Sequence, residues 1–278
     1  MGTALVLVLG FAGLEAVAGL ASGSLALLAD AAHMLSDTLA LALALFAAWL
    51  AQRPATPERS FGWRRAEVLA ALANALVLVA LGAWIVWAAV GRLSDPPRVT
   101  GAWVVAAGLA GLLVNLVAAR VLHAGGSGLN VRAAMLHVLA DLASSAGVVL
   151  AGVLVLATGW AYADPIVAIV IGMLVVLSTG GVLRETIGVL LEGAPAGMDA
   201  REVGAAIAAA DGVVGVHDLH LWTITSGFPA LSAHVLVAAG TDCHAIRRDL
   251  EVVLRDRFAL THTTLQVEHA PGLIKLAR

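Results

Sequence analysis

The chain has 278 residues, is 60% hydrophobic and only 13% charged, and carries a net charge of −3 with a single cysteine. Its mean hydropathy is +0.94. A soluble domain has about 25% charged residues, so this composition defines a polytopic membrane protein. It offers no basic surplus for nucleic acid. Cys243 alone excludes an internal disulfide and any Cys-x-x-Cys metal or redox site.

Six runs are long and apolar enough to cross a bilayer core, at roughly 3–21, 25–50, 66–91, 99–121, 132–157 and 163–184. The first has no Lys or Arg before it and holds Glu15, so it reads as a retained helix and not a signal peptide. Ala21–Ser24 is short enough to force a tight hairpin with the second. Asp95-Pro96-Pro97 breaks the chain after the third run, and Thr158–Pro165 separates the fifth from the sixth. Asp164 reads as the cap of the sixth helix. Glu15, Asn74 and Asn115 read as interhelical hydrogen-bonding groups. Arg53, Arg59, Arg64 and Arg65 lie between runs two and three, Arg120 and Arg132 flank the connection from four to five, and Arg184 ends run six. By the positive-inside rule this side, and both termini, are cytoplasmic, against the dissenting Arg92 and Arg98.

After Glu192 the composition changes. The segment 199–211 is an amphipathic helix, 213–225 and 229–238 are strands, 242–258 is a helix with charges on one face, and 263–269 is a last strand. This αββαβ order predicts a small α+β domain with its helices on one face of a short sheet. The division expected is 1–191 for the membrane domain and 192–278 for the cytoplasmic one.

Chemistry concentrates in two of the apolar runs. SLALLADAAHMLSDTLALALALF carries Asp30, His33, Ser36 and Asp37, and NVRAAMLHVLADLASSAGVVLA carries His137 and Asp141. Ionisable residues at membrane depth are costly and mark functional sites. His33 with Asp37, and His137 with Asp141, are four apart and so share a helix face. Nine His and eleven Asp leave fewer than one such spacing to chance. Two imidazoles and two carboxylates from adjacent helices can close a tetrahedron. That geometry and donor set suit Zn(II), with Cd(II) and Co(II) as competitors. A closed four-ligand site with no His-Glu-x-x-His and no added Glu base is built to hold metal, not to catalyse. The ligands must lose protons to bind, so metal and protons compete. Such a site near the bilayer midplane predicts a secondary antiporter. The rival readings are a non-transporting membrane metal sensor and a membrane metalloenzyme. Asp30, one turn before His33, is either a relay group beside the site or a polar group at the membrane edge near Ser24.

The stretches SGSLALLADAAHMLSD, SFGWRRAEVLAALANA, LNVRAAMLHVLADLASSAGVVLAG, ADPIVAIVIGMLV, LLEGAP, VHDLHLWTITSG, LSAHVLV and THTTLQVEH resemble the cation diffusion facilitator family on its zinc-transporting branch. They cover nearly the whole chain. The resemblance implies a membrane all-α six-helix bundle, a C-terminal ferredoxin-like cytoplasmic domain, a homodimer in a prokaryotic inner membrane, and proton-coupled export of zinc. It puts His33, Asp37, His137 and Asp141 on the transport-site positions and ties zinc selectivity to His33. It also implies zinc as a regulatory ligand of the cytoplasmic domain at His217, His234 and Glu268. His244, near the start of the second helix of that domain, is a further candidate by its position. Cys243, His262 and His269 are weaker candidates there. Some relatives bind metal between helices two and three. Here that stretch is PERSFGWRRAE, with Arg59 and Trp63 where ligands would be needed, so no metal is expected in it. Arg64, Arg65 and Glu67 read as a positive-inside anchor or as a charge interlock with the cytoplasmic domain or the other chain. The connection His123–Asn130 is short and lacks a His-rich metal-capturing loop.

Overall fold

The computed structural model describes the backbone of residues 2–124 and 129–270, and their side chains except at 2–8, 121–134, 136 and 137. Helices α1 (Gly2–Ser22), α2 (Leu25–Ala51), α3 (Ala66–Arg92), α4 (Gly101–Ala124), α5 (Leu129–Thr158) and α6 (Ala163–Leu190) correspond to the six apolar runs. α2 to α6 each contain a described stretch long and apolar enough to cross a membrane, and α1 adds the apolar stretch Leu9–Ser22. α6 continues past the predicted end at 184 to Leu190. Arg184 and Glu185 end the apolar run, but both are good helix formers, so polarity and helix do not stop together.

By contacts the chain forms two compact units. One is Met1–Phe46 with Ala70–Leu183, the other Ala47–Leu69 with Arg184–Arg278.

In the first unit the turn between α1 and α2 closes on Gly23, at φ +73°, a left-handed conformation that favours glycine. Leu25, Leu27, Ile85, Val104, Val148 and Ile171 form the buried core behind it. Close backbone approach is built in: a Cβ on Gly152 would stand 3.0 Å from the Val105 backbone nitrogen, and one on Gly172 would stand 3.1 Å from the Gly82 carbonyl. Small residues permit such contact between membrane helices.

The second unit holds α7 (Ala200–Ala208), β1 (Val213–Thr225), β2 (Phe228–Val237), α8 (Cys243–Phe258) and β3 (His262–His269), the predicted αββαβ order. The sheet runs β1-β2-β3, with β1 antiparallel and β3 parallel to β2. Asp199 caps α7 through the Arg201 N–H, and Asp242 caps α8 through the His244 and Ala245 N–H groups. Both satisfy donors a helix start leaves open. Val203, Ile207, Leu250 and Leu254 of the helices pack on Leu231, Ala233, Val235 and Val237. The alternate residues of β2, Ser232, His234 and Leu236, therefore lie on the other face.

The connection between α2 and α3 belongs to this second unit and folds onto the sheet domain. The Arg64 guanidinium lies 4.3 Å from the Phe228 ring centroid, and Arg65 reaches Glu192 at 3.4 Å. Thr225 donates to Glu67 at 2.9 Å. These residues do more than anchor a positive-inside loop. Arg59 stacks on Trp63 at 3.7 Å, so both side chains are engaged with each other.

Candidate metal centre

The site begins with how α2 starts. Asp164 does not cap its own helix. Its carboxylate accepts from the Leu25 N–H at 2.8 Å, the Ala26 N–H at 3.3 Å and the Ser24 hydroxyl, with Arg92 at 4.0 Å. A buried side chain of α6 thus supplies the first turn of α2 with its acceptors, where the helix dipole favours negative charge. This fixes the rotation of α2 at its first turn. Residues 30, 33 and 37, spaced three and four apart, then share one face.

That face meets α5, which runs the other way. Asp30 accepts from Ser144 at 2.6 Å and from Ser145 at 3.2 Å. One turn on, His33 Nε2 lies 3.4 Å from Asp141 Oδ1 and 3.7 Å from Asp37 Oδ2. Ligand atoms of His33, Asp37 and Asp141 all lie within 4.8 Å of one another, the one group of at least three His, Cys, Asp or Glu side chains so placed among the described residues. A further turn on each helix brings residue 37 level with residue 137. The His137 side chain lies outside the described residues. An imidazole and two carboxylates converging between two helices form a borderline donor set suited to a divalent transition metal.

Asp30 lies one turn from the cluster and is buried. It belongs to the interior and not to the membrane edge near Ser24. Its partners Ser144 and Ser145 were missed in the sequence, although they extend the His137–Asp141 face by three and four residues. Asn115 donates to Ser145 at 3.3 Å, an interhelical bond as expected of it. Glu15 departs from that expectation: it is buried, and neither carboxylate oxygen has a hydrogen-bond partner among the described residues.

In the sheet domain, His217 pairs directly with His234 across β1 and β2, and their ring centroids are 5.1 Å apart. His234 Nδ1 lies 3.5 Å from Glu268 Oε1 and its Nε2 lies 3.8 Å from Asp218 Oδ2. The register slips between His217 and His220, three residues of β1 facing two of β2, and Asp218 there has φ +52°. Residues three apart in a regular strand point to opposite faces. The bulge instead puts His217 and His220 on the same face. His220 then meets Asp218 at 2.9 Å and holds that carboxyl below the usual carboxylate range. Strand alternation in the sequence gave no sign of Asp218. His262 packs against Phe61 and Phe228 at 5.6 and 5.4 Å between ring centroids, a structural setting. Cys243 is half-buried, with Sγ 3.8 Å from His269 Nε2. The His244 N–H is taken by the Asp242 cap.

Apolar helices of spanning length, a metal-competent cluster between two of them and an α+β domain with a histidine-rich face together define a membrane transporter of metal cations. The family model described as the cation efflux transmembrane domain matches residues 2–191, and the one described as the cation efflux protein cytoplasmic domain matches residues 195–270. The chain belongs to this cation efflux family, the cation diffusion facilitators, whose members are transporters and not enzymes. It is 38% identical over 269 residues to the cadmium, cobalt and zinc/H(+)-K(+) antiporter of Bacillus subtilis, covering 95% of this chain and 86% of that protein. It is 44% identical over 262 residues to the metal cation efflux system protein CzcD of Cupriavidus metallidurans, covering 92% and 82%. Against the zinc transporter ZitB of Escherichia coli it is 41% identical over 265 residues, covering 94% and 84%.

Proposed function

We propose that the chain exports Zn(II) from the cytoplasm in exchange for protons, through a tetrahedral site made by His33, Asp37, His137 and Asp141 between α2 and α5. The observation that carries this is the convergence of His33, Asp37 and Asp141 inside an apolar helix pair, with His137 one turn from Asp141 on α5. Metal finds the imidazoles neutral and the carboxylates ionised, so protons arriving from the far side displace it. Cd(II) and Co(II), which share these donors, are competing substrates. The names of the relatives, which include zinc, cadmium, cobalt and proton exchange, support the reading.

The protein works as a homodimer in a prokaryotic inner membrane, with both termini cytoplasmic and with residues 1–191 and 192–278 as its membrane and cytoplasmic domains. His217, His234 and Glu268 bind regulatory zinc, which by linkage stabilises the state that holds it.

The test is zinc flux into sealed proteoliposomes holding a zinc-sensitive dye under an imposed pH gradient. Wild type is expected to carry zinc in step with the gradient, and Asp141→Ala to fall to the protein-free background. Equal flux in both would place the metal path elsewhere. No flux in wild type, with zinc still bound, would favour a sensor.

A further inference from the structure

We propose that Glu15 is a second, metal-free proton-binding site, one whose proton leaves when zinc enters the neighbouring cluster. The inference rests on the metal reading of His33, Asp37, His137 and Asp141.

Glu15 sits in α1, only 1% exposed, and neither of its oxygens accepts a hydrogen bond among the described residues. An ionised carboxylate in such a place would carry a large desolvation cost with no donor to offset it. The neutral acid avoids that cost. Space for it is provided by Gly111 of α4: a Cβ there would stand 2.9 Å from Glu15 Oε1 and 3.2 Å from Ser145 Oγ. The glycine thus lets the Glu15 carboxyl and the Ser145 hydroxyl approach the same small space.

The surroundings separate the two carboxyls of this layer. Asp30 of α2 takes the hydroxyls of Ser144 and Ser145 from α5, donors that support an ionised form. Glu15 takes none. Asn115 of α4 completes the polar lining through Ser145. Asp30 is the titratable group facing Glu15. Beyond Asp30, one turn further along α2 and α5, come His33 and Asp141. Both carboxyls are buried, and Glu15, the one without a donor, is the one whose surroundings favour a bound proton more strongly.

The exchange balances without any electron transfer. While the cluster is metal-free, the O–H bond of Glu15 is intact. A dication that displaces fewer than two protons from its own ligands leaves the space beyond Asp30 more positive than before, which favours negative charge nearby; the Glu15 O–H bond breaks, and the proton leaves for solvent. Departure of the metal restores the bond. One proton is thereby exchanged per metal in addition to those displaced from the ligands.

The experiment is proton release on zinc binding, read with a pH dye in weakly buffered detergent solution, with zinc stoichiometry measured alongside. Glu15→Gln is expected to keep the zinc stoichiometry and to release about one proton fewer per zinc. An unchanged proton count would overturn the proposal. Infrared difference spectra of wild type with and without zinc provide a reading that needs no variant. A protonated-carboxyl band that shifts on ¹³C-glutamate labelling and disappears with zinc is expected, and its absence would overturn the proposal. Flux that ignores the pH gradient, with the Glu15 proton still released on binding, would sink the antiport reading while supporting Glu15. Gradient-driven flux with equal proton counts in both proteins would do the reverse.

Discussion

The membrane cluster and the sheet cluster use the same chemistry in different solvents. In each, an imidazole nitrogen faces a carboxylate oxygen, at 3.4 Å for His33–Asp141 and 3.5 Å for His234–Glu268. The side chains of the first pair are 18% and 15% exposed, those of the second 33% and 49%. On the open sheet face water serves each group when no ion is present, and a surface ion pair contributes roughly 0–1 kcal/mol. Between membrane helices no such substitute exists, and unmatched charge must be met by a proton or a metal. Under the proposed function, transport falls to the cluster that depends on its helices, and regulation to the one that can fill and empty with little structural consequence.

If the membrane cluster owes its geometry to its helices, damage far from the ligands should disable it. Asp164→Ala removes the acceptor that fixes the first turn of α2 and leaves Arg92 facing the vacated position. Leaving the buried Leu25 N–H and Ser24 hydroxyl without their acceptor costs about 1–3 kcal/mol. Thermal denaturation in detergent should show a large drop, and zinc flux should be lost although every ligand remains. Full flux in a folded Asp164→Ala protein would show that the start of α2 does not set the site, and would erase the contrast with the sheet.

Why the two regions were unequally legible in the sequence follows from the same difference. Apolar runs, His-x-x-x-Asp spacing and strand alternation are local, and they specified the six helices, the αββαβ order and a common face for His33 and Asp37. Asp164 was misplaced because a residue just inside a helix looks like its own cap, and only packing shows that it serves a helix 139 residues away. Asp218 and the shared face of His217 and His220 depend on one extra residue in β1, and a period-two pattern cannot register a bulge. Arg64, Arg65 and Glu67 could be read for charge but not for partners. Glu15 could be recognised as polar in an apolar run, but its want of a donor is a property of four helices together.

A middle-sized effect tests the optional character of the sheet cluster. His234→Ala should lower the zinc bound per chain and leave the membrane pathway working. The zinc affinity of the membrane pathway, read from flux at subsaturating zinc, should fall by about fivefold, the low end of ordinary allosteric coupling. Complete loss would mean that the sheet cluster is obligatory for transport, and that exposure is a poor guide to function here.

The smallest effect concerns how the sheet cluster is held. His220 keeps the Asp218 carboxyl below its ordinary range. A carboxyl whose folded value lies below its unfolded one contributes stability above the unfolded value, and that contribution is lost as pH falls through the folded value. His220→Ala should therefore raise the Asp218 titration midpoint toward the ordinary range, followed by carboxyl-carbon NMR in the full chain labelled at aspartate. The stability difference between the two proteins should close as acid protonates Asp218 in both. An unchanged midpoint would mean that His220 does not set the charge on Asp218. The bulged backbone, with Asp218 at φ +52°, would then position the carboxylate unaided, and the sheet cluster would be preorganised by strain where the membrane cluster is preorganised by burial.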